Sequence, residues 1–142
     1  MSEIVEVADA VGTALNGATF SLPFTAERKF QPHFELKDMQ SLHVTVVPKA
    51  DESALFARIK TQYDYGIDVA VQQKLQETDE SEIAPLMKLA EEIGDYFRFK
   101  RLAEFPSAIW VKTRRDPIYS QEHLQQFGQF TSVVTLTFRV IK

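Results

Sequence analysis

The chain has 142 residues, enough for one domain of ordinary size, and its 44% hydrophobic and 25% charged composition excludes global disorder. It contains no cysteine, which excludes disulfides, thiolate metal sites, iron–sulfur ligation and cysteine nucleophiles, and fits a reducing compartment. The net charge of −4 gives no general pull toward nucleic acid, but it is unevenly spread: residues 1–97 carry 8 Lys/Arg against 17 Asp/Glu, and residues 98–142 carry 8 against 3. An acidic front and a basic back either make the folded chain dipolar or are interleaved by folding.

The opening Met-Ser-Glu-Ile-Val-Glu-Val has acids where a secretory signal has bases, and no run approaches the ~20 apolar residues of a membrane helix. A soluble protein of the cytoplasm in which it is made is therefore expected. The first predicted element is a helix over Ser2–Asn16, with Ile4, Val7, Ala8, Val11 and Leu15 on one stripe, Ser2 as its cap and Asn16-Gly17 as its stop. Alternation then predicts a strand through Phe24, Ala26, Arg28 and Phe30, and another over Leu42–Val47 that Pro48 closes. Ala54–Gln62 reads as a strand, Tyr63–Gly66 as a hairpin turn, and Ile67, Val69 and Val71 as the returning strand. A second helix is expected over Ser81–Lys100, with Ile83, Leu86, Ala90, Ile93 and Phe97 facing inward. Pro85 falls in its first turn, and Gly94 costs about 1 kcal/mol unless something packs closely there. Strands over Ala108–Thr113 and Thr131–Ile141 follow, with one or two helical turns at Ser120–Gln126 between them. The fold class is α+β: a single domain with a mainly antiparallel sheet, flanked by an N-terminal helix and a second, central helix.

The residues that carry chemistry are sparse. His33, His43 and His123 form none of the spacings that bind metal. No G-x-S-x-G elbow and no glycine-rich phosphate loop occurs, and the acids of Glu77–Glu82 and Glu91-Glu92 read as solvated charge. No catalytic residue, cofactor or metal is assigned. Lys112, Arg114 and Arg115 near Trp110 and Tyr119 have the residue types of a nucleic-acid patch, but the acidic total and the lack of any module pattern argue against specific nucleic-acid binding. The long closing strand reads as a possible pairing edge, and eleven Phe exceed what a small core obviously needs.

Taken together, the N-terminal helix, Glu27-Arg28-Lys29-Phe30-Gln31-Pro32, Phe34-Glu35-Leu36-Lys37-Asp38, Leu42–Pro48, Tyr63-Asp64-Tyr65 and the closing Phe130–Phe138 strand form a pattern. It resembles the tail terminator or tail completion proteins at the head–tail junction of long-tailed bacteriophages. The resemblance implies a virion structural protein of the tail or neck that forms a ring, often of six subunits. Such a ring caps the tail tube and meets head–tail connector proteins, without a membrane partner. In a head-to-tail ring the acids Glu77, Asp79, Glu80 and Glu82 and the bases Arg98, Arg101, Arg114 and Arg115 are the candidate interface. A small ligand-binding or enzyme-like α+β domain whose polar groups converge only in three dimensions stays open as the alternative, as does an interaction or toxin-neutralising protein.

Overall fold

The computed structural model describes residues 2–31 and 40–142, so His33 and the Phe34–Asp38 segment lie outside the described residues. The elements run α1 (Glu3–Asn16), β1 (Ala26–Arg28), β2 (His43–Ala57), β3 (Lys60–Lys74), α2 (Glu80–Tyr96), β4 (Arg101–Leu102), β5 (Phe105–Arg114), α3 (Gln121–Phe127) and β6 (Gln129–Ile141). Six strands form one mixed sheet in the order β1-β2-β3-β6-β5-β4. Among the described residues only β1 and β2 pair in parallel, and every other neighbouring pair is antiparallel. This is the α+β architecture expected.

Alternation along the strands divides the sheet into two faces. Tyr65, Ile67, Val69 and Val71 of β3 and Phe130, Val134, Leu136, Phe138 and Val140 of β6 are buried on one face. Both long helices cover that face. α1 sinks Val7, Val11 and Leu15 into the core, and a side chain at Gly12 would meet Val46. α2 sinks Leu86, Leu89, Ala90 and Ile93, and the edge of the Phe97 ring meets Phe138 at 5.9 Å between centroids. Each fully buried Leu, Ile or Phe contributes about 1.5–3 kcal/mol relative to exposure, so the helix stripes account for the packing of this layer. Among the described residues no helix is long and apolar enough to cross a membrane.

Polar contacts fix how α1 sits. The Asn16 amide accepts from the Ala26 N–H at 2.7 Å and donates to its carbonyl at 3.1 Å, standing in for a strand neighbour. Arg28 pairs with Asp9 at 2.9 Å. At the other end Glu3 accepts from the Tyr65 hydroxyl at 2.7 Å and from Lys142 Nζ at 2.8 Å. Burial works against the charge on Glu3, but these two bonds outweigh it and hold the carboxyl below its ordinary range. Burial, followed by the adjacent Glu3, pushes the Tyr65 phenol upward.

Several local expectations are corrected. Ser2 stands at the cap of α1 but makes no side-chain capping bond, and Gly17 has φ −87°, so it is not used for left-handed geometry. Pro48 does not end its strand: β2 continues to Ala57 through an irregularity between Pro48 and Ala50, where a ladder tolerates a residue without an N–H. The hairpin turns at Arg58-Ile59 rather than at Gly66, which lies within β3 opposite Ala50. One long hairpin thus replaces three expected segments. Pro85 is the sixth residue of α2, beyond its first turn, and α2 ends at Tyr96 rather than Lys100. β6 is not an edge, since β3 and β5 pair with its two sides.

Gly94 is the close-packing glycine that its position in a helix demanded. A Cβ there would lie 3.3 Å from Thr113 Cγ2 and 3.6 Å from Val134 Cγ1. Thr113 is held in place by the Trp110 indole N–H, which donates to its hydroxyl at 2.8 Å. Gly94→Val is expected to destabilise the fold by about 1–3 kcal/mol through overpacking, read as a lower urea midpoint at an unchanged slope.

Candidate functional site

The acidic candidates gather at the start of α2, and two of them are engaged in shaping it. Asp79 is the N-cap: its carboxylate accepts from the Glu82 N–H at 3.2 Å and from the Ser81 hydroxyl at 2.7 Å. The Glu82 carboxylate turns back on the incoming chain and accepts from the N–H groups of Gln76 (2.9 Å), Glu77 (2.6 Å) and Thr78 (3.0 Å). Thr78 adopts φ 59° to complete this wrap, a conformation that costs a β-branched residue strain. Both carboxyls are held below their ordinary range, Asp79 first by the Ser81 bond and Glu82 first by the backbone N–H groups of Gln76 and Glu77. Glu77 and Glu80 remain as exposed acids on this end.

The basic candidates divide. Arg98 and Arg101 lie just past the C-terminus of α2, about 25 Å from the acids by helix rise alone. Arg98 is exposed, 3.9 Å from Asp95 and above the Phe99 ring. Arg101 donates to the Pro106 carbonyl at 3.1 Å. Arg114 pairs with Asp116 at 3.1 Å after β5. Arg115 differs from these: its Nε and Nη2 are buried and have no hydrogen-bond partner among the described residues. The eight residues therefore do not form one patch. The fold places acids at one end of α2 and two bases at the other.

Sequence reasoning missed the second face of the sheet. There β2, β3, β5 and β6, with α3 at one side, line an open polar groove of about 930 Å³. Some of its charges are paired across the strands, Asp64 with Arg139 at 2.8 Å, and Asp68 with Thr135 at 2.6 Å and Lys49 at 3.8 Å, while Asp51, Glu52 and Lys112 line it without an ion-pair partner among the described residues. His123 Nδ1 lies 2.9 Å from the Thr131 hydroxyl and ties α3 to β6. His43 is half-buried in β2, and no group of three metal-binding side chains occurs among the described residues. The alternation of Thr135, Thr137 and Arg139 was the available signal for this face. Their partners, 67 to 75 residues distant, were not readable.

No family model matches the sequence, and no curated protein matches it. Among solved structures, the cryo-EM structure of the sheath/tube terminator of an extracellular contractile injection system (PVC), in its extended state, is similar in fold. The TM-score is 0.53 at 16% identity, over 100% of this chain and 57% of that one. The chain thus spans little more than half the length of that neighbour.

The cap at α2 gives a pH-dependent prediction. A depressed carboxyl adds stability that is present above its unfolded pKa and is lost as pH falls through the folded value. Thermal melts between about pH 2 and 7 should show Glu82→Gln less stable than the native chain at neutral pH. The difference should begin to shrink as pH falls through the ordinary carboxylate range and close only below the depressed folded value, where Glu82 is protonated in both states.

Proposed function

We propose that this chain is a tail-terminator subunit: a structural protein that caps the end of a tail tube as a ring and presents a surface for the component above it. The observation that carries this reading is the likeness of fold to a sheath/tube terminator along the whole of this chain. Two features support it. Both long helices lie on one face of the sheet, which leaves the opposite face and the strand edges for partners. The separation of acids from Arg98 and Arg101 along α2 gives each subunit two unlike ends, as a closed head-to-tail ring requires. The reading includes a tail location, a phage or phage-like particle, contact with tube and head–tail connector proteins, and no catalysis.

A ligand-binding domain is the second reading, favoured by the polar groove. Assembly is the better account because the fold likeness supports it, whereas no group of three metal-binding side chains occurs among the described residues and the Asp64–Arg139 and Asp68–Thr135 pairs on the groove wall already satisfy one another.

The test is assembly itself. Purified chain mixed with tubes built from its cognate tube protein should form rings at tube ends in negative-stain micrographs and rise in sedimentation coefficient. A chain that stays monomeric and leaves the tubes bare would end the proposal.

Charge should set encounter more than affinity, because exposed pairs contribute only about 0–1 kcal/mol each. Reversing both Arg98 and Arg101 to Glu is cleaner than touching the half-buried Arg115, whose Nε and Nη2 are buried. The double variant is expected to assemble about 10-fold more slowly at low ionic strength, and the difference should shrink in high salt. Stopped-flow light scattering reads both effects.

A further inference from the structure

The β2–β3 hairpin ends in an apolar tip that nothing among the described residues covers. Leu55 is 82% exposed, Phe56 53% and Ile59 91%, the strongest concentration of exposed large apolar side chains among the described residues. The tip is tied into the sheet, with an irregularity between Leu55 and Ala57. The β2–β3 ladder runs out to Ala57↔Lys60, and Thr61 exchanges backbone bonds of 2.8 and 3.0 Å with Lys142. Such a tip cannot fold back onto the core.

A matching hollow of about 460 Å³ lies on the ends of β5 and β6, walled by Ile109, Val111, Ile141 and Trp110, with Arg101 and Arg139 at its margin. Ile109 and Ile141 are themselves partly exposed, and no residue of the tip lines the hollow. The charges flanking the two features are complementary. Asp51 and Glu52 lead into the tip on β2 and have no ion-pair partner among the described residues. Lys112, which lines the second-face groove together with Asp51 and Glu52, has no ion-pair partner among the described residues, and Arg101 at the margin of the hollow has none there either, donating to the Pro106 carbonyl. The two features lie on different strands at the same end of the sheet, Gln62 of β3 lying opposite Ile141 of β6, and one copy presents both.

We infer that the hairpin tip of one copy, Leu55, Phe56 and Ile59, seats in the β5–β6 hollow of a second copy of this chain. Asp51 and Glu52 then lie toward Arg101 and Lys112 of that copy. The contact is heterologous, so successive copies extend until rotation closes them. The apolar tip supplies the affinity and the flanking charges supply the register. This inference rests on the ring reading above and names the surfaces that make the ring.

The absence of cysteine provides a clean test. Ile59→Cys and Ile109→Cys are made in separate proteins, mixed under mild oxidation and compared with each alone. The expected result is a disulfide-linked heterodimer far in excess of either homodimer. In parallel, Leu55→Asp with Ile59→Asp, both at exposed positions, should retain the native circular dichroism spectrum and weaken self-association about 100-fold by sedimentation. Native-like assembly of that double variant, or crosslinks no more frequent in the mixture than alone, overturns the contact while leaving the ring reading standing. Crosslinks from position 59 to the tube protein in place of a second copy overturn it also. A native chain that neither self-associates nor caps tubes overturns the ring reading and this contact together.

Discussion

Thirteen consecutive antiparallel pairs join β3 to β6, from Gln62↔Ile141 to Lys74↔Gln129, without a register shift. Everything else in the fold depends on the phase of that ladder. A slip of β6 by one residue would turn Leu136 and Phe138 away from the helices and drive Thr135 and Arg139 into the core. The ladder carries its own register marks. Asp64 lies directly opposite Arg139, and Asp68 opposite Thr135, and both pairs are bonded. Apolar matching on one face and charge matching on the other therefore select the same alignment. The neighbouring ladders, β2–β3 and β5–β6, each contain an irregularity, so strain and curvature are taken up to either side of an uninterrupted centre.

The elements with a strong period were legible from the residues alone. The stripe through Val7, Val11 and Leu15 located α1, and that through Leu86, Ala90 and Ile93 located α2. The polar stretch after Ser120 located α3, which closes on Gly128 in the left-handed region at φ 60°. What failed was punctuation. Pro48 and Gly66 look like breaks, but they lie almost opposite one another where β2 is irregular, and there a missing N–H and a missing side chain are both tolerated. The true turn, Arg58-Ile59, contains none of the residues that turns favour. The central position of β6 was hidden for a different reason. A strand buried on one face has the same alternation whether it lies in the middle of a sheet or at its edge, and only its partners distinguish the two.

The candidate site was legible in part. Asp79 and Glu82 were visible as acids ahead of a helix, and their spacing of three is the mark of a capping arrangement that consumes them locally. Arg115 looked equivalent to Arg114, yet Arg115 is half-buried with its Nε and Nη2 buried and without a hydrogen-bond partner among the described residues, and Arg114 is exposed beside Asp116. Adjacent residues on a strand end face opposite ways, so this difference follows from the pleat and not from residue type. A fold shared at 16% identity with a terminator fits the same picture, because what must be kept is the phase of apolar positions and not their identity.

The strand order also has a consequence for how the molecule is made. β1, β2 and β3 form one half of the sheet and β5 and β4 the other, and β6 alone joins them. β6 leaves the ribosome after every strand it connects, and its pairs with β3 span more than fifty residues of chain. Until it arrives, the two half-sheets have unpaired inner edges and the apolar stripe of α2 lacks the strand it packs against most extensively. Contacts of such long sequence separation close slowly. The nascent chain is thus most vulnerable to mispairing in the interval before its central strand is inserted, and any truncation within β6 removes the seam of the sheet and not a dispensable tail.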